Sequence, residues 1–396
     1  MSIKLKIDGY EHEGAGISHY NGKVIFVPNT IKDEECLVDI IKDNKNYAVG
    51  KVQQITKKSN LRVEPVCPYY EKCGGCSYLH VSLAEERKIK KDNVKNILKK
   101  YANIDINPRY INSKNEYNYR NKISLKIENY EFGYYNANSH EFCKINECKL
   151  AKVSINKIIN SKYIKVKNGS MVIRSNYNDE VIIKIDTKEE YYIDIDKLIS
   201  ENKIVGIIVN DKLLYGDNFY YERVGGFLFK VNINSFFQVN LDILEKVFAI
   251  LKKYKFKNVV DLYSGVGTLG IALNKDKLFG IEIIPDAVID ANKNSKLNKQ
   301  NNFYMLGDSS KISEIKDEID TIIVDPPRSG LNKNTIDNII NINANNIIYM
   351  SCNPITLARD LNILKEKYNL LDFYILEMFP RTKHVECICI LECKIF

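Results

Sequence analysis

The sequence predicts an α/β protein whose last third forms a doubly wound parallel sheet, preceded by a small β-barrel and a strand-rich α+β region. The first observation is in the last third. Helical stretches near 240–254, 286–299 and 355–367 alternate there with short apolar runs at VVDLY, FGIEI, TIIVDPP and NIIYMSC. Strands that alternate with helices build a parallel sheet covered on both faces. The second is in the opening segment. Lys4 to Ile7, Val24 to Val27, Cys36 to Ile41 and Val49 to Ile55 are short apolar or alternating runs with Gly and Asn turns between them. That is the pattern of a small barrel of the oligonucleotide-binding kind. The third is length, since 396 residues exceed one ordinary core and call for two or three domains.

Between barrel and sheet, CPYYEKCGGCSYLH (67–80) interrupts the strand pattern. A helix follows from about Leu83 to Tyr101, with Val94, Ile97, Leu98 and Tyr101 on one stripe and Lys88, Lys90, Lys91, Lys95 and Lys99 on the other face. From about 110 to 235 the runs KISLKI, MVIRS, EVIIKI and KIVGIIV read as strands. No stretch reaches the roughly 18 apolar residues of a membrane span and the first residues carry no signal-peptide pattern, so a cytoplasmic protein is expected. The net charge of +8 suits a polyanionic partner, because each phosphate neutralised by Lys or Arg releases a counterion. Ten cysteines in a cytosolic chain point to metal binding or catalysis rather than to disulfides.

NVVDLYSGVGTLG (258–270) is an apolar strand followed by Gly265, Gly267 and Gly270, residues that let the backbone turn tightly and approach a ligand. The spacing satisfies the dinucleotide pattern, with Glu282 ending the next strand to hold ribose hydroxyls, so a nicotinamide-dependent oxidoreductase is a rival reading. Asp261, at the strand end, is placed to meet the ammonium of an amino-acid-bearing methyl donor. Asp308 in LGDSS follows the third strand, where a side chain reaches an adenine. A dinucleotide offers no role for either acid.

Three further motifs carry the chemistry. TIIVDPPRSGL (321–331) sets Asp325 at the carboxyl end of a buried strand, before two prolines that forbid an immediate helix. MSCNP (350–354) sets Cys352 at the end of the next strand, and FPRTKHVECICIL (379–391) carries His384 and Glu386 into the last. Carbon 5 of uracil is a poor nucleophile toward a sulfonium. A thiolate added at carbon 6 turns the ring into an enolate and makes carbon 5 nucleophilic, after which a base must remove the carbon 5 proton. Cys352 and Glu386 are the candidate thiol and base. Cys387, Cys389 and Cys393 read as buried small hydrophobes. A target base in folded RNA would have to be extruded into the pocket.

With these motifs in order, the sequence resembles the RNA uracil-5 methyltransferases that carry an N-terminal TRAM domain. The resemblance spans essentially the whole chain: FFQVN (236–240), DLYSGVGT (261–268), GIE (280–282), VDPPR (324–328), SCNP (351–354) and PRTKHVE (380–386). It implies a Rossmann-like class I methyltransferase with Cys352 as nucleophile and Glu386 as base. It further implies that Gln238, Tyr263, Thr268, Glu282, Asp308 and Asp325 surround S-adenosyl-L-methionine. Thr268 stands where some members carry an Asn. EGAGISHYNGKVIFVPNTIKDE looks like a TRAM barrel, and NYRNK (118–122) resembles a motif of the RNA-contacting central domain. The implied domains are discontinuous: barrel 1–58, central domain 59–82 and 109–235, catalytic domain 83–108 and 236–396.

Cys67, Cys73 and Cys76 supply three thiolates, with Cys148 or Cys143 available as a fourth, a set that fits zinc or an iron–sulfur cluster. The family resemblance implies a [4Fe-4S] cluster with Cys148 as fourth ligand. It also implies 23S rRNA as the substrate and partner, with the T-loop of tRNA as the alternative, and a monomer is expected.

Overall fold

The structure is a computed structural model that describes residues 2–136, 139–273 and 275–394. Residues 3–57 form a six-stranded sheet in which Ile3–Lys6 pairs with Glu35–Asp43 and Lys23–Val27 pairs in parallel with Tyr47–Lys57. Its core is small: Leu5, Ile7, Ile25, Val27, Cys36, Val38 and Ala48. Each expected strand is present, and two further ones, Gly9–Tyr10 and Gly16–Tyr20, complete the sheet.

Helix α1 (Leu83–Ala102) starts at Ser82, whose hydroxyl accepts the Glu85 N–H at 3.4 Å, and ends at Asn103 in the left-handed region. Val94 and Leu98 are buried, as their spacing predicts. Two positions differ from the sequence reading. Tyr101 is exposed and Ala102 takes the buried position, while Lys90, expected on the solvated face, is buried. Lys90 stays inside because its ammonium lies 2.8 Å from Glu86 one turn earlier.

The middle of the chain forms a seven-stranded sheet through Lys122–Glu128, Asn168–Ser175, Val181–Asp186 and Ile204–Val209, packed on the helix Val153–Asn160. Two parts of the 109–235 region pack elsewhere. Arg109–Ile111 is the edge strand of the catalytic sheet, and the hairpin of Phe219–Val224 with Phe227–Asn232 buries Phe229 and Val231 in the catalytic core. A three-residue strand is too short to show a period, and a hairpin's own pattern does not name the body that covers it.

The catalytic sheet contains β1 (Asn258–Leu262), β2 (Lys277–Glu282), β3 (Phe303–Leu306), β4 (Thr321–Val324), β5 (Asn346–Ser351), β6 (Tyr368–Leu376) and β7 (Glu386–Cys393). These lie in the order β3-β2-β1-β4-β5-β7-β6, with β1 to β5 parallel and β7 antiparallel to both neighbours. Successive residues point to opposite faces, and both faces are covered. Val259, Ile323 and Ile348 enter one apolar layer, whereas Val260, Ile322 and Ile347 enter the other. Helices α2 (Leu241–Leu251), α3 (Thr268–Ala272) and α4 (Pro285–Leu297) belong to one side of the strand order and α5 (Lys333–Ile342) and α6 (Pro354–Leu364) to the other. Helix α1 packs against α6. The order reverses between β1 and β4, so the crevice for a ligand opens at the carboxyl ends of those two strands.

Candidate active site

The loop leaving β1 is shaped by close approach. Gly267 has φ +82°, and a Cβ there would lie 2.7 Å from the Tyr304 hydroxyl oxygen. A Cβ on Gly270 would lie 2.7 Å from Asp261 Oδ2, the atom that accepts the Gly270 N–H at 3.2 Å. Tyr263 holds a left-handed φ of 60°, and its hydroxyl donates to Ser309 Oγ at 3.2 Å. Glu282 accepts the Gly265 N–H at 2.8 Å and the Ile284 N–H at 2.9 Å, one on each oxygen, which leaves lone pairs free for a ligand. The buried Ser264 hydroxyl has no partner among the described residues. Asp308 is exposed and caps the turn Ser309–Glu314 by accepting the Ser310 N–H at 2.7 Å. Thr268 opens α3 beside this loop. Gln238 is buried, and its backbone is pinned where Asn121 Nδ2 donates to Gln238 O at 3.1 Å, joining the NYRNK and FFQVN motifs.

Adjacent strand ends bring the acids together. Asp261 ends β1 and Asp325 follows β4, its direct neighbour. Burial, reinforced by Asp325, pushes Asp261 up to about 8, and burial pushes Asp325 up to about 7. Strand β7 runs against β5 in the register Ser351↔Cys387, so the next pair outward is Cys352 and Glu386. The thiol and the carboxyl therefore meet through antiparallel pairing of residues distant in sequence. Burial and the nearby Asp325 hold Glu386 well above the usual carboxylate range, opposed by Arg328. Burial, then Glu386 and Asp325, push the Cys352 thiol up to about 11, again opposed by Arg328.

Residues with no sequence assignment hold this geometry. Asn353 caps α6 by accepting the Ile355 N–H at 3.1 Å, and its Nδ2 donates to Arg328 O at 3.0 Å. Thr356 Oγ1 donates to the same carbonyl at 3.2 Å. The loop with Asp325 and Arg328 is thus bound to the turn with Cys352. Arg328 donates to His384 Nδ1 at 3.4 Å, and the His384 ring packs edge-on against Phe379 at 5.7 Å. Burial and the surrounding cations depress His384 to about 4, so its imidazole is neutral at neutral pH. Asn353 was legible as part of SCNP. The roles of Thr356 and Arg328 needed the fold.

The second cysteine-bearing region lies apart. Cys67, Cys73, Cys76 and Cys148 line one cavity of about 80 Å³, walled by Tyr69, Tyr134 and Arg120 among others. Cys143 does not line it and is packed in the central core instead. Burial raises the Cys73 thiol to about 11 and the Cys76 thiol to about 12. Among the described residues, no group of three or more His, Cys, Asp or Glu side chains is arranged to hold a metal ion.

The chain is similar to known methyltransferases. The methyltransferase small domain family matches residues 229–348, and the tRNA (uracil-5-)-methyltransferase family matches residues 310–394. An uncharacterized RNA methyltransferase of Oceanobacillus iheyensis is 31% identical over 99% of this chain and 96% of its own length. A second, from Clostridium acetobutylicum, is 32% identical over 98% of this chain and 96% of its own. The structure of Pyrococcus abyssi tRNA (uracil-54, C5)-methyltransferase in complex with S-adenosyl-L-homocysteine matches with a TM-score of 0.81. The two are 24% identical, over 98% of this chain and 100% of that one. Strand order, glycine loop and domain match together define an α/β methyltransferase. Within that class, the chain belongs to the RNA uracil-5-methyltransferase family.

Proposed function

We propose that this protein transfers a methyl group from S-adenosyl-L-methionine to carbon 5 of a specific uridine in 23S rRNA, through a covalent bond between Cys352 and uracil carbon 6. The observation that carries the reading is the β5–β7 register, which sets Cys352 and Glu386 side by side next to Asp325. The donor supplies an electrophilic methyl and two positive charges. In this reading Asp261, Asp325, Glu282, Tyr263, Thr268, Gln238 and the exposed Asp308 would receive it.

In the first step the Cys352 thiol loses its proton to solvent and the sulfur bonds to carbon 6, while the carbon 5–carbon 6 π electrons move onto the carbon 4 carbonyl. Those electrons return through carbon 5 to the donor methyl, the sulfonium–methyl bond breaks, and S-adenosyl-L-homocysteine leaves. Glu386 removes the remaining carbon 5 proton, the carbon 5–carbon 6 double bond re-forms, and the bond to Cys352 breaks. A donor cation beside Asp325 would favour the carboxylate form that burial opposes.

The cysteine cavity supports a [4Fe-4S] site with Cys67, Cys73, Cys76 and Cys148 as ligands. Cys67, Cys73, Cys76 and Cys148 line this cavity and would hold the cluster through their thiolates. When bound, the cluster would order the segment between barrel and α1. The six-stranded sheet of residues 3–57 supports a TRAM RNA-binding role. The packing of α1 on α6 supports the division into barrel 1–58, central domain 59–82 and 109–235, and catalytic domain 83–108 and 236–396, with Arg109–Ile111 and the hairpin 219–232 attached to the last. We take the protein as a cytoplasmic monomer. No helix among the described residues is long and apolar enough to cross a membrane.

A second reading, T-loop uridine of tRNA, is favoured by the matched domain's description as a tRNA (uracil-5-)-methyltransferase. The test is methyl transfer from labelled donor to unmodified 23S rRNA and tRNA transcripts in parallel, with the product nucleoside identified. 5-Methyluridine in the 23S transcript alone is the expected result. Label in tRNA alone would overturn the substrate and keep the chemistry.

A further inference from the structure

We infer that Glu86, on helix α1, is a positioning residue for the proton-abstraction step, because with Arg381 and Lys90 it anchors the turn that carries Glu386 into the site. This rests on the reading of Glu386 as the base.

The turn between β6 and β7 (377–385) is held from outside by buried groups. Glu86 is fully buried, and Arg381 and Lys90 are each 2% exposed. Glu86 Oε1 accepts the Arg381 backbone N–H at 2.8 Å, and Oε2 lies 3.2 Å from Arg381 Nη1. Lys90 Nζ donates to Glu86 Oε1 at 2.8 Å and to the Phe379 carbonyl at 3.1 Å. Arg381 itself has φ 67°, a left-handed conformation that costs a side-chain-bearing residue and persists only where its surroundings enforce it.

Two other segments close on the same residue. The Ser77 and Tyr78 N–H groups, just after Cys76, donate to Arg381 O at 3.0 and 3.2 Å. The Tyr119 hydroxyl, from NYRNK, donates to Pro380 O at 3.0 Å. Inside the turn, Thr382 Oγ1 donates to Phe379 O at 3.0 Å and accepts the His384 N–H at 3.3 Å. The turn is therefore closed on itself and gripped at Phe379, Pro380 and Arg381, five to seven residues before Glu386. Cys352 is set by other contacts, through Asn353 and Thr356 to the Arg328 backbone carbonyl, and the Arg328 loop meets the turn through its side chain at His384, 3.4 Å away and outside the Glu86 grip.

This separation gives a distinctive expectation. Loosening the turn displaces the base while leaving the nucleophile in place. Carbon–sulfur bond formation and methyl transfer then proceed, and the carbon 5 proton is removed slowly. A displacement of about 1 Å in a reacting group costs ~10²-fold in rate. A merely structural defect would lower adduct formation and turnover together.

The experiment compares wild type, Glu86→Gln and Glu386→Gln on one substrate RNA, reading turnover, donor affinity and the denaturation-resistant protein–RNA adduct. Glu86→Gln is expected to lower kcat by ~10²-fold, to leave donor affinity within about threefold and to accumulate methylated adduct above the wild-type level. Should that variant fail to fold, Lys90→Met removes the grip on Phe379 and the ion pair to Glu86 while keeping the Glu86–Arg381 contacts, and is expected to show the same adduct at a smaller loss of kcat. Adduct in Glu386→Gln with none above wild type in Glu86→Gln, or in Lys90→Met where Glu86→Gln does not fold, overturns the positioning role. No adduct in Glu386→Gln overturns the underlying reading of Glu386 as the base.

Discussion

The protein holds two sets of non-core cysteines, and they differ in what faces the sulfur. Cys352 stands at a strand end among Glu386, Asp325 and Arg328, groups that accept or supply charge as a reaction proceeds. Cys67, Cys73, Cys76 and Cys148 face one another across a small cavity with aromatic walls and Arg120. Burial raises the thiols of Cys352 and of Cys67, Cys73 and Cys76, so burial alone does not separate a nucleophile from a ligand. The neighbours do. A thiol beside a carboxyl and an open crevice has a base and room for a substrate. Four thiols lining one cavity are what the proposed cluster rests on.

Breaking the comparison at its strongest point gives the largest effect. Cys352→Ala should reduce methyl transfer to background and abolish the RNA adduct while donor binding persists, as measured by labelled transfer and calorimetry. Retained turnover would remove the covalent mechanism. Next, Glu386→Gln should lower turnover by about 10²- to 10⁴-fold and leave a protein–RNA adduct on denaturing gels. An adduct-free variant would assign the proton step to another group.

Asp325→Asn sharpens the donor side. Losing a buried carboxylate opposite a cation costs at least about 2 kcal/mol, so donor affinity by calorimetry should fall by about 30-fold. Unchanged affinity would move the donor's charge away from β4. The acids also set a pH dependence. Asp325 near 7 and Asp261 near 8 are neutral below those values and anionic above them. A cationic donor prefers the anions, so its affinity should rise by roughly tenfold from pH 6 to 8. A flat profile would place neither acid against positive charge. The smallest catalytic effect is expected on the other side of the comparison. Under the proposed cluster, Cys76→Ser should bind less iron than wild type, with weaker visible absorption, and still form the Cys352 adduct. Full iron retention would remove Cys76 from the ligand set.

Much of the site was readable because its chemistry sits in short motifs. Asp325 before two prolines, Cys352 before Asn353 and Pro354, and the glycine loop after Asp261 all mark strand ends, and strand ends at a sheet's carboxyl edge are where ligands bind. The placing of Arg109–Ile111 and of hairpin 219–232 was not readable. Both are short elements whose covering body lies more than a hundred residues away for the first and across a helix for the second. Lys90 was misread for a related reason. Helical spacing sorts apolar from polar, and it has no means of showing that a lysine has a buried carboxylate above it.

By itself, the sequence determined the alternation of strand and helix, the order of the six motifs and the residue types available for thiol, base and donor contacts. These follow from local rules of period, turn and spacing. Only the tertiary structure decided that β7 inserts antiparallel between β5 and β6 and so sets Glu386 beside Cys352. It alone joined Glu86 to Arg381 across 295 residues, and where cysteine spacing left Cys148 and Cys143 open it set Cys148, the one the family resemblance implies, against the cavity. Such contacts are fixed by burial and charge pairing between distant segments, and no local pattern in either segment encodes its partner.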